Sequence, residues 1–157
     1  MSEATTVNLA GSALERHRHV CAFFHSKDDE YRVLMPFIAE GFRRGDKAFH
    51  VVDPNHRADH LRCLARSGID VEDAVHSGQL EVRRWEEAYL RDGRFDQERM
   101  LALIEDVLTA GKRDGYPLTR LVADMEWALE DRPGVEDIVE YETRLNYVLP
   151  RYDDAVC

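Results

Sequence analysis

The chain predicts an α/β domain in three layers, a mainly parallel five-stranded sheet between two sets of helices. Three observations carry that expectation. Short β-type runs alternate with longer helical ones, the pattern of crossover-connected parallel strands. The runs are apolar on most residues, as strands covered on both faces are. The length of 157 residues suits one domain, and no Pro/Gly/Ser-rich linker divides it.

The segment His19-Val-Cys-Ala-Phe-Phe24 reads as the first strand. Ser26, three residues before Asp29, opens a helix with Leu34, Phe37, Ile38 and Phe42 at helical spacing. Pro36 implies a late start or a kink, and Gly45 ends the helix. Ala48 to Asp53 is the second strand, and Asp53-Pro54 reads as an N-cap with proline at the first helical position. Leu61 and Leu64 face inward on that helix, and Gly68 closes it. A short helical turn over Val71 to His76 precedes a third, alternating strand, Leu80 to Trp85, placed near an edge. After a loop with Tyr89, Gly93 and Phe95, Asp96 caps a long helix with Met100, Leu101, Ile104, Val107 and Leu108 on one side. Leu118 to Met125 is the fourth strand. The last helix carries Ile138, Tyr141, Leu145, Val148 and Leu149. Ala155-Val-Cys157 resembles the start of a fifth strand cut short, as in a fragment of a longer regulator. Residues 1–14 read as a flexible N-terminal tail, leaving 15–157 as the domain.

Composition narrows the function. The net charge of −10 repels phosphate backbones and anionic membranes, so direct nucleic-acid or membrane binding is not expected. Three widely spaced cysteines do not make a disulfide framework and suit a reducing cytoplasm. The start lacks the features of a secretory signal, and no apolar run reaches membrane-spanning length.

Parallel sheets bind ligands at the carboxyl ends of their strands. Those ends offer His25, Ser26, Asp53, Asn55, Trp85, Glu87, Asp124, Glu126 and Trp127. Several of these are equally explained as helix caps, core aromatics or solvated acids. No G-x-x-x-x-G-K-[ST] loop follows the first β run, which continues as His25-Ser-Lys-Asp-Asp29 without glycine. No G-x-S-x-G elbow is present. The chain is therefore not expected to be an enzyme. His17-x-His19-x-Cys21 is the sharpest local pattern, because alternate residues of an extended segment share a face and two imidazoles with a thiolate suit zinc or copper. A buried cysteine beside two ordinary histidines explains it as well. Glu142 and Asn146, one turn apart, share a helix face.

Taken together, His19-Val-Cys21-Ala-Phe-Phe, Pro36-Phe-Ile-Ala-Glu-Gly41, Asp124-Met-Glu-Trp127, Tyr141-Glu142-x-x-x-Asn146 and the final Val156-Cys157 resemble the MEDS domain, the methanogen/methylotroph sensory domain. The resemblance covers residues 15 to 157. It implies a bacterial or archaeal regulatory module that senses small hydrocarbon derivatives beside kinase, anti-sigma or DNA-binding partners. It also implies a degenerate relative of RecA/KaiC-like ATPases without the phosphate loop, with Asp124 where a Walker B strand ends. In that RecA-like order the first strand lies between the fourth and the fifth, bringing Cys21 beside Cys157. The expected function is a non-catalytic cytoplasmic signalling module that regulates transcription through a protein partner, with a homodimer among its expected assemblies. Its small-molecule pocket would use Phe23, His25, Tyr31, Trp85, Asp124, Glu126, Trp127, Tyr141 and Glu142. Two alternatives stand beside it: a metal or thiol redox sensor built on His17, His19 and Cys21, and a residual nucleotide-binding domain.

Overall fold

The computed structural model describes residues 6–15, 18–152 and 154–156. Eleven elements run β1 (Val7–Leu9), β2 (Ser12–Leu14), α1 (Lys27–Arg44), β3 (Lys47–Val52), α2 (Arg57–Arg66), α3 (Val71–His76), β4 (Leu80–Arg84), α4 (Gln97–Arg113), β5 (Thr119–Ala123), α5 (Ile138–Val148) and β6 (Ala155–Val156). Single 3-10 turns fill several of the connections.

The main sheet has the order β4-β3-β5-β6, and every neighbouring pair is parallel. All six residues of β3 are buried, as a central parallel strand requires. Alternation along the strands divides the core into two layers. Ala48, Leu80 and Val122 pack with Leu34, Phe37, Ile38, Leu64 and Ala74 of α1, α2 and α3. Phe49, Val51 and Leu121 pack with Met100, Ile104, Leu108, Tyr141 and Leu145 of α4 and α5. The helices thus cover both faces, as expected.

The caps that the sequence announces are formed. Ser26 Oγ accepts from the Asp29 N–H, and Asp96 Oδ1 accepts from the Arg99 N–H. Gly45, at φ 77°, turns the chain out of α1 in the left-handed region that glycine adopts without strain. Helix α1 runs through Pro36 without a break.

Four expectations are corrected. The first strand is not formed: residues 19–24 are irregular apart from one bridge at His19. The edge of β5 that it would occupy is taken by β6, paired at Arg120↔Ala155 and Leu121↔Val156. The sheet among the described residues therefore has four strands rather than five, and the RecA-like insertion between the fourth and fifth strands does not occur. Residues 7–14, expected to be a flexible tail, form the antiparallel β1–β2 hairpin, with Val7 fully buried against the α1 side of the core. Asp53 does not cap a helix at Pro54. Its Oδ1 accepts from the Asn55 N–H in a turn, and α2 begins only at Arg57. The expected pairing of Cys21 with Cys157 falls on a residue outside those described.

Candidate functional site

The carboxyl ends of β3 and β5 meet where the Asp124 N–H donates to the Val51 carbonyl. Asp124, just past β5, is the hub. Its Oδ2 accepts from Lys27 Nζ at 2.8 Å, and its Oδ1 accepts from the Glu126 N–H at 3.0 Å. Its carbonyl accepts from Trp85 Nε1 at 2.9 Å. Lys27, in the first turn of α1, also pairs with Glu30 at 3.0 Å and Glu126 at 3.1 Å. Burial opposes the Lys27 charge, but the Asp124 and Glu30 carboxylates outweigh it and hold the ammonium well above its usual range. Glu30 is pushed upward by burial despite its lysine partner. Asp124 and Glu126, both expected to line the ligand site, are thus paired with one lysine, and Asp124 is already satisfied at both oxygens.

Behind Lys27, a polar chain enters the core. Tyr31 Oη lies 2.8 Å from His60 Nδ1, and His60 Nε2 lies 2.9 Å from His50 Nδ1. With both rings neutral, the donors can run one way along the chain. Burial lowers His60 to about 4 and takes His50 well below its ordinary value, with the neighbouring His60 further opposing charge at His50. Tyr31 serves this chain rather than a pocket wall.

Across the sheet, Trp127 and Tyr141 belong to an aromatic cluster with Tyr89 and Phe95. Tyr89 and Phe95 lie 5.0 and 5.2 Å from the Trp127 ring, and Phe95 meets Tyr141 edge-on at 5.4 Å. Trp127 and Tyr141 are 0% and 1% exposed, yet Trp127 Nε1 and the Tyr141 hydroxyl have no hydrogen-bond partner. Burial raises both Tyr89 and Tyr141, and the two hydroxyls act on each other by charge and by a loose mutual contact, with the Glu142 charge adding to both shifts.

The third group joins the irregular segment before α1 to helix α5. His19 Nε2 lies 3.0 Å from Glu142 Oε2, and Cys21 Sγ lies 3.6 Å from the same oxygen. The Asn146 amide donates to the Glu142 carbonyl, turning its Oδ1 toward His19 Nδ1 at 3.0 Å. Hydrogen bonding to Glu142 raises His19 against its burial, and burial beside Glu142 raises Cys21.

Of the expected site residues, Asp124, Glu126 and Trp85 come together at the strand ends, while Trp127 and Tyr141 fill the core. Phe23 is 95% exposed and His25 is exposed, so neither walls a cavity. His17 lies outside the described residues. Two surface hollows of about 320 and 330 Å³ lie elsewhere, beside Leu80 and Val82 and between α4 and α5 at Glu98 and Arg144. Sequence reasoning missed Lys27, the base at the head of the acidic run Lys27-Asp-Asp-Glu30, and it missed Asn146 as the partner of His19. The i, i+4 spacing of Glu142 and Asn146 was the available signal.

The sequence model of the MEDS family, described as "MEthanogen/methylotroph, DcmR Sensory domain", matches residues 18–157. The chain is 27% identical over 149 residues to the transcriptional repressor DcmR of Methylorubrum extorquens, covering 95% of this chain and 53% of the repressor. It therefore spans about half the length of that relative. No solved structure matches. Among the described residues, no helix is long and apolar enough to cross a membrane.

Proposed function

Because the chain belongs to the MEDS family of sensory domains, we propose that it is a non-catalytic module that binds a small molecule and reports it to a partner controlling transcription. The ligand class is a small hydrocarbon derivative. The partner is a kinase, an anti-sigma factor or a DNA-binding protein, and the setting is cytoplasmic. Similarity to a transcriptional repressor supports the regulatory part of this reading. The charge of −10 favours a protein partner over direct contact with DNA.

The observation that carries the ligand part is the pair of unpaired polar atoms in the aromatic cluster, Trp127 Nε1 and the Tyr141 hydroxyl. A buried polar group without a partner costs about 1–3 kcal/mol. A ligand with an oxygen or halogen acceptor and a small apolar body would relieve that cost and pack among the rings. The Tyr89–Tyr141 region lies beside Glu142, against which His19 and Cys21 rest, so their segment is a natural cover to move on binding. A nucleotide has less to recognise here, since the glycine loop is missing and Asp124 is neutralised by Lys27.

Thermal unfolding of the full chain in the presence of short halogenated and oxygenated hydrocarbons tests the reading, with Mg-ATP alongside. At 100 times the dissociation constant a ligand of the folded state adds about 2.7 kcal/mol. The hydrocarbon series should stabilise the chain and Tyr141→Phe should lose the response. Stabilisation by Mg-ATP alone, or none by any compound, overturns it.

A further inference from the structure

We propose that His19 Nε2, Cys21 Sγ and a Glu142 carboxylate oxygen together bind one divalent transition-metal ion, zinc foremost, with the remaining position open to water or a small polar molecule. The three donors come from two elements far apart in sequence, yet all lie within 4.8 Å of one another. Tetrahedral zinc holds nitrogen and oxygen at about 2.0–2.2 Å and sulfur at about 2.3 Å, so its ligand atoms stand roughly 3.2–3.8 Å apart. The observed 3.0 Å between His19 Nε2 and Glu142 Oε2, and 3.6 Å between Cys21 Sγ and that oxygen, match this spacing to within a few tenths of an ångström, and the third pair, His19 with Cys21, lies within 4.8 Å and has at most about 1 Å to close.

Two details favour a cation over a plain histidine–glutamate pair. The first is the orientation of the imidazole. The Asn146 side-chain N–H donates to the Glu142 carbonyl, so the Asn146 oxygen faces His19 and accepts the Nδ1 proton. That leaves Nε2, the nitrogen at the cluster, free to carry the lone pair. Metal-bound histidines are held in this way by a second partner on the other ring nitrogen. The second is Glu142 itself. Its Oε1 is buried and has no hydrogen-bond partner, while Oε2 faces both the imidazole and the thiol. A cation gives the carboxylate a use for charge that the local donors leave unspent.

The donor set of one nitrogen, one sulfur and one oxygen suits zinc and its mimic cobalt better than magnesium or calcium, which favour oxygen alone. Three protein ligands with a vacant position match the open type of zinc site rather than the closed structural type. The cysteine binds as thiolate and the histidine as neutral imidazole, so uptake of the ion releases the protons they hold. The ligand set differs from the run of His17, His19 and Cys21. Glu142 brings the third donor from α5, and exposed His25 is not part of the cluster. A metal there would staple the segment before α1 to α5.

The full chain, stripped with a chelator and then given cobalt(II) or zinc(II) alone, tests the site. Wild type should take up one ion per chain, and cobalt should show a thiolate charge-transfer band. Cys21→Ser should abolish the band, and His19→Ala and Glu142→Gln should abolish stoichiometric uptake. Cys63→Ser and His25→Ala should leave both intact. Asn146→Ala should weaken zinc about 10–100-fold without removing a ligand. Because Cys21 is exposed, chelator-treated Cys21→Ser should unfold at the temperature of chelator-treated wild type, so that its loss of the band is not a loss of fold. Failure of the wild type to hold one ion overturns the proposal, whatever any variant does. So does a cobalt–thiolate band that survives Cys21→Ser.

Discussion

On the α1 side of the sheet, buried polar side chains are joined to one another. Arg120, 2% exposed, donates from Nε to Asp46 at 2.8 Å, and from Nη1 to the Phe37 carbonyl at 2.8 Å and to Glu40 at 3.0 Å. Its guanidinium also lies over the Phe37 ring at 4.8 Å. Asp46 Oδ1 and Arg120 Nη2 stay unpaired, but each group keeps strong partners at its other atoms. On the α5 side, Trp127 Nε1 has no hydrogen-bond partner, and the Tyr141 hydroxyl has no well-formed one, only a loose contact with the Tyr89 hydroxyl. The first arrangement ties helix to sheet. The second leaves hydrogen-bonding capacity inside an apolar cluster, next to a segment of irregular backbone. A sensory domain needs both, a rigid side to refer to and an unsatisfied side to respond.

The largest blow to the comparison is Trp127→Ala. The indole is fully buried and touches Tyr89 and Phe95, so its loss should cost about 3–5 kcal/mol in urea unfolding. A cost below about 1 kcal/mol would mean that the aromatic face is loosely packed and that the contrast with the α1 side is one of rigidity. Arg120→Ala attacks the other face. Removing one partner of a buried ion pair typically costs about 3–5 kcal/mol, because the partner charge stays behind. Here about 3 kcal/mol is expected, since Glu40 reaches solvent and can relax. Gly41, where a Cβ would stand 2.7 Å from the Arg120 side chain, should tolerate alanine better in the Arg120→Ala background than in wild type. Additive losses in that double mutant would show that Arg120 does not fill the groove above Gly41.

The elements that the sequence announced are those whose signals are local. Ser26, Gly45 and Asp96 act through backbone groups a few residues away, so both ends of α1 and the start of α4 were legible. Strands β3 and β5 were legible because both faces are buried and most of their residues are apolar, with Lys47, His50, Thr119 and Arg120 the exceptions. The segment His19–Phe24 carries the same kind of run and failed. A strand needs a free edge as well as apolar residues, and β6 holds the only described edge beyond β5. The hairpin of β1 and β2 was missed for the converse reason. Its two 3-residue strands are too short to show alternation, and Val7 is buried by contact with a distant helix. At the site, the importance of Glu142 and of the His19–Cys21 pair could be read, but not their meeting across more than a hundred residues.

Acid sharpens the comparison through the histidines. His60 titrates at about 4 when folded and near 6.5 when unfolded, and His50 is lowered further in the same direction. The unfolded chain therefore binds more protons below pH 6.5. The stability these residues confer is complete above that value and is lost as pH falls toward 4. For His60 alone the loss by pH 5 is about 2 kcal/mol. His19 in the metal-free chain behaves oppositely. Its folded value is raised, so its contribution is present below pH 6.5 and lost as pH rises through the folded value. Titration of the imidazole resonances by NMR separates the two sides, with His60 moving near pH 4 and His19 above 6.5. A common midpoint would remove the distinction between the buried pair and the α5 contact.

The smallest effect is the most discriminating. Tyr141→Phe removes one oxygen from the centre of the aromatic cluster. If that hydroxyl were bonded in the resting protein, its loss should cost about 0.5–1.5 kcal/mol. It makes no well-formed hydrogen bond, only a loose contact with the Tyr89 hydroxyl, so the variant gives up little but a desolvated polar group and should match or slightly exceed wild type in urea unfolding. The ring, 1% exposed and edge-on to Phe95 and Tyr89, keeps its packing. A clear loss of stability in Tyr141→Phe would show that the hydroxyl is already satisfied, by Tyr89 or by an internal water. The aromatic face would then be as closed as the face that holds Arg120, and no capacity would be left in it for a ligand to use.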